Sequence, residues 1–268
     1  MRLPVAEGFY PADAMSCRKM VKEFINVDIS VGKITGAVVP HAGYVYSGKV
    51  AGYVYKAISK QKPRRIVIFG TNHTGRGMPL ALSRDVWRTT LGEVEVDVEF
   101  VDKVAGDLLQ VDEVAHMYEH SIEVQLPFLQ VCCPDVKIVP ISVSHVSFDL
   151  LSNVSKRLVD KGTIYIASSD FTHYGLNYGF APKDSEKNPV AFVENTDKAL
   201  IKLITSMKAE EFYKESQKTT ICGAAGITLM LLIVKELGVN KGRLLKYDTS
   251  YSTSRDTSAI VGYAGIAL

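Results

Sequence analysis

Residues 38–48, Val-Val-Pro-His-Ala-Gly-Tyr-Val-Tyr-Ser-Gly, join an apolar run to a polar loop. The apolar beginning predicts a short buried strand, which ends at Pro40 because proline has no N–H to donate to a sheet. The next side chain is the imidazole of His41. Ligands of open α/β sheets bind beyond the carboxyl ends of the strands, so His41 is placed to reach a bound molecule. We expect Gly43 and Gly48 to let the backbone turn sharply around it.

The same arrangement recurs after two other apolar runs. Residues 65–69 lead into Gly-Thr-Asn-His, which ends at His73. Residues 163–167 lead into Ser-Ser-Asp-Phe-Thr-His, which supplies Asp170 and His173. If these strands are neighbours in one sheet, their ends gather three imidazoles and one carboxylate.

The hydrophobic period alternates between that of strands and that of helices along the chain. This alternation predicts a single α/β domain over residues 1–268, with a mixed or mostly parallel central sheet flanked by helices. A segment rich in Gly, Asn, Pro and charge, residues 175–189, predicts a loop that could cover the site. The predicted helices span residues 15–26, 49–59, 97–109, 120–131, 150–159, 191–205 and 224–237, and the further strands span residues 78–82, 86–90, 137–143, 244–249 and 259–267.

Composition narrows the class of protein. The chain has 268 residues, 47% of them hydrophobic, and a net charge of +2 without a basic stripe, so we expect no nucleic-acid partner. The longest apolar run, residues 227–234, is too short for a bilayer of about 30 Å, and no signal sequence is visible, so we expect a cytoplasmic protein without membrane attachment. Four cysteines in a chain of this length, two of them adjacent at Cys132 and Cys133, do not indicate a disulfide framework. We expect them to be reduced thiols.

The histidines at the predicted strand ends are candidate metal ligands. Two imidazoles and one anionic ligand form a facial triad that leaves positions on iron open for substrate or dioxygen. His41 and His73 fit the imidazoles. Cys222 precedes a long apolar helix, whose unpaired amides and dipole favour a thiolate. A sulfur ligand widens the choice of metal toward copper(I) or zinc as well as iron.

Each of these residues also has a structural interpretation. A single histidine at a strand end is more often a hydrogen-bonded loop residue than a ligand. Cys222 can equally pack as a small buried side chain at a tight helix start. Asp170 and His173 can cap a turn together, or the carboxylate can orient the imidazole as a general base. His145 is interpreted as structural.

Residues 116–120 read His-Met-Tyr-Glu-His, the H-x-x-E-H pattern of inverted zinc peptidases. That chemistry needs a continuous helix through both histidines and a further carboxylate ligand, and the sequence supports neither strongly. We rank it behind the strand-end cluster. Glu119, His120 and Glu123 can instead form a polar patch at a helix start, with Glu123 facing the cleft one turn beyond His120.

Several short motifs, taken together, carry a family resemblance. They resemble the Memo family, called AmmeMemoRadiSam system protein B in prokaryotes, and they run in order from residue 40 to residue 256, so that the resemblance covers nearly the whole chain. In order they are Pro-His-Ala-Gly-Tyr at 40–44 with Ser-Gly at 47–48, Asn-His at 72–73, Glu-His-Ser-Ile-Glu at 119–123 with Leu-Pro at 126–127, Ser-Ser-Asp-Phe at 168–171 with His173, Cys-Gly at 222–223, Tyr-Ser at 251–252 and Arg-Asp at 255–256.

The resemblance implies a fold similar to that of the LigB-type class III extradiol dioxygenases, which use non-haem iron. It implies a metal site of two histidines and one cysteine, matching His41, His73 and Cys222, with Asp170 and His173 as the nearby acid and imidazole. The dioxygenases use a carboxylate in place of the cysteine. An animal relative is associated with copper or iron redox chemistry and with phosphotyrosine-peptide binding, and the prokaryotic name implies a pathway shared with a radical SAM protein and an Ammecr-type protein.

The leading hypothesis is therefore an iron- or copper-dependent redox enzyme for an unknown small substrate, with zinc as another candidate metal. In it His173, oriented by Asp170, moves a proton, and Tyr44, His120 and Glu123 line the pocket. The alternative is a non-catalytic module that binds a peptide or small anion in a vestigial cleft. A zinc peptidase built on His116 is the third hypothesis.

Overall fold

The computed structural model describes residues 1–268, apart from the side chain of residue 184. A sheet of nine strands forms its centre, and two further strands make a separate hairpin. The strands are β1 (Gly36–Val39), β2 (Arg65–Thr71), β3 (Leu80–Leu82), β4 (Trp87–Thr89), β5 (Gly92–Val94), β6 (Gln110–Val111), β7 (Lys137–Val143), β8 (Ile164–Ser168), β9 (His173–Tyr174), β10 (Arg243–Thr249) and β11 (Ile260–Ala267).

The strand order in the sheet is β10-β11-β1-β8-β2-β7-β3-β6, with β9 paired to β11 and with β4 and β5 forming the hairpin. The four central strands β1, β8, β2 and β7 are parallel, whereas β11 and β3 run antiparallel to their central neighbours. Val39 lies opposite Ser168, and Phe69 lies opposite Ala167. The carboxyl ends of β1, β8 and β2 therefore meet at one edge of the sheet, as the sequence predicted.

Helices cover the sheet in two groups. The helices are α1 (Ala14–Phe24), α2 (Tyr44–Ser59), α3 (Val98–Val104), α4 (Leu126–Cys132), α5 (Phe148–Leu158), α6 (Pro189–Thr205), α7 (Ala209–Ser216), α8 (Ala224–Glu236) and α9 (Tyr251–Ser254). One group, α5 to α8, is centred on the apolar α8, which contacts β1, β2 and β8. The other is centred on α2, which contacts β1, β10 and β11 and packs against α1 and α4.

Burial explains the composition of the central strands. Every residue of β1 and β8 is buried, as expected for parallel strands with helices on both faces. The predicted α/β class with a mixed, mostly parallel sheet is confirmed. Among the helices of the described residues, none combines the length with the apolar character that crossing a lipid bilayer demands.

The start of α2 differs from the prediction. The helix begins at Tyr44 instead of residue 49, because Gly43 acts as its N-cap directly after the His41 turn. Gly48 lies inside the helix and does not form a turn. It and Gly52 face Phe24 of α1, and a Cβ atom on either would lie 2.2 Å from an atom of that residue. These glycines permit close packing of two helices.

Two other predicted helices are shorter in the structure. The helix expected over residues 97–109 ends at Val104, because Gly106 and Leu109 pair their backbones in a tight turn. The helix expected over residues 120–131 begins with a 3-10 turn, Glu123–Gln125, and becomes α4 at Leu126. The short helix α7 was not predicted.

We expect Gly52→Ala to destabilise the protein, although alanine is favoured over glycine in a helix by about 1 kcal/mol. The new methyl group would lie 2.2 Å from the backbone oxygen of Phe24, which cannot rotate away. Overpacking costs about 1–3 kcal/mol, so the free energy of unfolding should fall in a urea titration. Gly32→Ala is the control, since no heavy atom lies within 4 Å of its Cβ position. A Gly52→Ala protein as stable as wild type would contradict the packing described above.

A second expectation concerns Asp197 of α6, which is buried and accepts hydrogen bonds from the Thr172 amide (3.0 Å) and the Tyr247 hydroxyl (2.7 Å). Burial raises the pKa of this carboxyl from 3.8 to about 6. The folded protein thus holds this proton more tightly than the unfolded chain, so the contribution of Asp197 to the free energy of unfolding is complete below about pH 4 and is lost as the pH rises through about 6.

Asp197→Asn should remove this contribution, so that the fall in the free energy of unfolding between pH 4 and pH 7 shrinks by up to about 3 kcal/mol. Urea titrations at both pH values measure it. Glu236→Gln, at the exposed last residue of α8, is the control and should keep the pH dependence of wild type. An identical pH dependence in Asp197→Asn and wild type would show that Asp197 is not the titrating group.

Candidate metal centre

Three potential metal ligands from distant parts of the chain lie together at the carboxyl edge of the sheet. One donor atom each from His41, His73 and Cys222 lies within 4.8 Å of the other two. Nε2 of His41 is 3.3 Å from the sulfur of Cys222. The rings of His41 and His73 are nearly perpendicular, with centroids 5.1 Å apart. The structure thus brings together the three residues proposed as ligands.

The spacing of these donors fits a transition-metal ion. Metal–sulfur and metal–nitrogen bonds of about 2.3 Å and 2.0–2.1 Å, at a tetrahedral angle, place the two donor atoms about 3.5 Å apart. The distance between Cys222 and His41 is close to this value. Two nitrogens and one sulfur also leave coordination positions free, as catalytic metal sites require.

Hydrogen bonds fix the tautomer of His41. Its Nδ1 lies 3.0 Å from Oγ of Ser168, and that hydroxyl donates its own proton to the carbonyl of Ser121 at 2.7 Å. Ser168 must therefore accept from Nδ1–H, as it also accepts from the amide of Gln125. Nε2 then keeps its lone pair toward Cys222. Burial and the neighbouring imidazoles hold the pKa of His41 well below its usual range, so the ring is neutral.

A buried carboxylate, Glu119, orients His73. Its Oε1 lies 3.0 Å from Nδ1 of His73, and its two oxygens also accept from the amides of His73 (2.6 Å) and Ser121 (2.9 Å). Partial burial disfavours the charged imidazole, but hydrogen bonds to Cys222 and Glu119 raise the pKa of His73 to about 10. Burial likewise opposes ionisation of Glu119, yet the hydrogen bond from His73 lowers its pKa to about 2. With Nδ1 held by Glu119, Nε2 of His73 faces Cys222 and carries a proton in the metal-free site, which a bound metal ion would replace.

Glu119 was not among the predicted site residues, although it belongs to the H-x-x-E-H pattern. It forms a second group of potential ligands with His73 and His120. Nδ1 of His120 lies 3.4 Å from Oε1 of Glu119. Oε1 already accepts two hydrogen bonds there, so this group is better described as a network that orients an imidazole.

The position of Cys222 depends on a close approach between two elements. Cys222 precedes the N-cap of α8, Gly223, whose amide donates to Oγ of Ser169 at 2.9 Å. A Cβ atom at position 223 would lie 2.5 Å from Cβ of Ser169, so glycine is required there. This contact holds the sulfur beside the end of β8, 3.5 Å from the carbonyl of Asp170.

Asp170 has a different role from the predicted one. Its Oδ1 accepts from the amides of His41 (2.8 Å) and Ala42 (3.2 Å), so it holds the turn that presents His41. Burial raises the pKa of this carboxyl. Among the hydrogen bonds of the described residues, none joins Asp170 to His173, so the orientation of His173 by this carboxylate stays a prediction.

Backbone carbonyls orient His173 instead. Its Nδ1 lies 2.9 Å from the carbonyl of Phe171 and 3.1 Å from that of Thr220. Because a carbonyl oxygen only accepts, Nδ1 carries a proton, and Nε2 is the ring nitrogen left without a hydrogen bond to the backbone. His173 borders the same cleft as His41 and His73, so the predicted proton-transfer position is accessible.

Two predicted pocket residues lie outside the cleft. Tyr44 is buried at the start of α2, where its hydroxyl donates to the carbonyl of Val124 at 2.8 Å. Glu123 is buried and pairs with Arg2. Because α2 begins earlier than predicted, Tyr46, two residues further on, borders the cleft instead of Tyr44.

The cleft in front of the donors has a volume of about 510 Å³. Its described lining contains neither lysine nor arginine. The lining includes four imidazoles and three phenols, namely those of His41, His73, His120, His173, Tyr46, Tyr178 and Tyr263.

His116 takes no part in this site. It follows a single 3-10 turn, Glu113–Ala115, and residues 117–122 contain no α-helix. The buried ring lies with Nε2 3.0 Å from the carbonyl of Ala81. The zinc-peptidase hypothesis needs both histidines on one helix, and the structure does not meet that requirement.

Comparison with known proteins agrees with this architecture. A profile of the family described as Memo-like protein matches residues 2–267. The MEMO1 family proteins of Methanosarcina barkeri and Methanococcoides burtonii are 39% and 41% identical to this chain, with 99% of both chains covered in each case. That of Pyrococcus furiosus is 37% identical over 100% of this chain and 98% of its own. The chain therefore belongs to the Memo family.

Proposed function

We propose that this protein is a redox enzyme that uses iron or copper, held by His41, His73 and Cys222, to transform a small molecule in the cleft. The observation that supports this most strongly is the orientation of the two imidazoles. Each has its Nδ1–H donated to a neighbouring acceptor, so the other ring nitrogen is the one left to bind a metal beside the sulfur, and in His73 a metal ion would replace the Nε2 proton.

A bound iron or copper ion would supply electron transfer and the activation of dioxygen. The residues of the chain would supply proton transfer, the position of the ligands and the walls of the cleft. His173 receives or delivers a proton at Nε2, and Asp170 holds the His41 turn. His120 stacks on His73 with ring centroids 4.8 Å apart and forms one wall of the cleft. Zinc fits the same donors but has no redox chemistry.

The alternative of a non-catalytic module for small anions has less support. Anion sites commonly use arginine or lysine, and the described lining of the cleft has neither. A module that only binds a peptide or small anion also does not require two imidazoles whose Nδ1 atoms are held by acceptors beside a thiol. The two functions differ in whether bound metal supports turnover.

We expect the triple variant His41→Ala, His73→Ala, Cys222→Ser to lose nearly all of its iron and copper, because it keeps none of the three donors. Metal analysis after anaerobic purification measures this. His145→Ala removes an exposed histidine outside the cluster and should retain the metal content of wild type. Equal iron and copper in wild type and the triple variant would remove the basis for the proposed site.

Reductant-dependent oxygen consumption by the Fe²⁺-loaded protein tests the enzymatic part of the proposal. Reduction of dioxygen consumes protons, so we expect His173→Ala to keep its iron and to lower the rate about 100-fold, the usual contribution of a positioned acid or base. The Cys222→Ser variant should consume oxygen no faster than free Fe²⁺ does. A wild-type rate no higher than that of free Fe²⁺ would favour the binding module instead.

A further inference from the structure

The segment that carries Glu119 and His120 has little regular structure of its own. Between the 3-10 turns Glu113–Ala115 and Glu123–Gln125, the chain forms only turns and irregular backbone. Glu119 nevertheless has to meet His73, which lies 46 positions away in the sequence, with a well-defined hydrogen bond. Contacts from outside the segment must therefore fix its position.

Arg2 supplies the most extensive of these contacts. It is buried, and its Nε donates to the carbonyl of His116 at 3.2 Å while Nη2 donates to the carbonyl of Glu119 at 2.5 Å. Nη1 pairs with the carboxylate of Glu123. The guanidinium also lies over the ring of Trp87, 4.5 Å from its centroid. One planar group thus connects the beginning, middle and end of the segment.

The rest of the N-terminal segment, residues 4–10, holds the same loop from the other side. The amides of Val5 (2.9 Å) and Ala6 (3.2 Å) and the hydroxyl of Tyr10 (2.5 Å) donate to Glu123, so that no part of this buried carboxylate lacks a partner. The ring of Phe9 packs on His120 with centroids 4.4 Å apart.

We propose that Arg2 is a positioning residue of the metal centre, although it does not reach the cleft. It fixes the backbone at residue 119, so that the Glu119 carboxylate meets Nδ1 of His73 and keeps Nε2 directed at Cys222. The inference rests on the proposed function, because it needs these residues to bind a metal. Lysine cannot replace this residue, since one ammonium does not match the fork of donors that spans two carbonyls and a carboxylate.

Titration of the metal-free protein with Co²⁺ alone tests the proposal, with the thiolate-to-cobalt absorption band as the readout. Arg2→Met and Arg2→Lys should each lower the Co²⁺ affinity about tenfold, as loss of a partner that orients a ligand typically does. Arg65→Met is the matched control. Arg65 also stacks on an aromatic ring, that of Phe100 at 4.2 Å, and pairs with Asp97, but at the opposite end of the strand that leads to His73.

A double-mutant cycle with Glu119→Gln separates positioning from general stability. If Arg2 acts through Glu119, Arg2→Met should cause little further loss of Co²⁺ affinity in the Glu119→Gln background. Arg65→Met should leave the affinity within about twofold of wild type, because distant sites act independently.

The outcomes distinguish the two proposals. A wild-type protein that shows no thiolate-to-cobalt band overturns the proposed function itself. A normal band in wild type, with unchanged affinity in Arg2→Met or full additivity in the cycle, overturns only the role of Arg2. If Arg2→Met is unfolded at the assay temperature, Arg2→Lys alone decides, and wild-type affinity in that variant overturns the inference.

Discussion

The parallel register of β1, β8 and β2 is the constraint on which the site depends. These strands end side by side, so the residues that follow them lie close together although they are far apart in the sequence. Their burial on both faces by helices makes the register difficult to shift, because a slip of one residue would exchange the side chains on the two faces of the sheet. The strand ends are therefore a rigid frame for the two imidazoles.

A second layer of the site consists of buried polar groups that satisfy one another. A buried carboxylate such as Glu119 is costly unless it is paired and hydrogen-bonded, and here two amides and one imidazole meet that need. Ser168 combines one donated and two accepted hydrogen bonds. Because the Ser168 hydroxyl gives its proton to a carbonyl and a carboxylate only accepts, Nδ1 carries a proton in both His41 and His73.

The site also combines rigid and irregular elements. The donors His41 and His73 come directly from strand ends, whereas Cys222 depends on the close approach of Gly223 to Ser169. The irregular segment at Glu119 is held by the N-terminus of the chain. The candidate metal centre thus draws on residues from Arg2 to Gly223, and the family match likewise covers residues 2–267.

Local sequence patterns determined the alternation of strands and helices, the class of the fold and the residues placed at the strand ends, because hydrophobic period and chain-breaking residues act over a few positions. Only the tertiary structure decided which polar groups pair. The Asp170 carboxylate accepts a hydrogen bond from the backbone of His41, 129 positions away, and not from its neighbour His173. The start of α2 likewise decided that Tyr46 and not Tyr44 borders the cleft. Such choices depend on distances between elements that are remote in the sequence, and no local spacing encodes them.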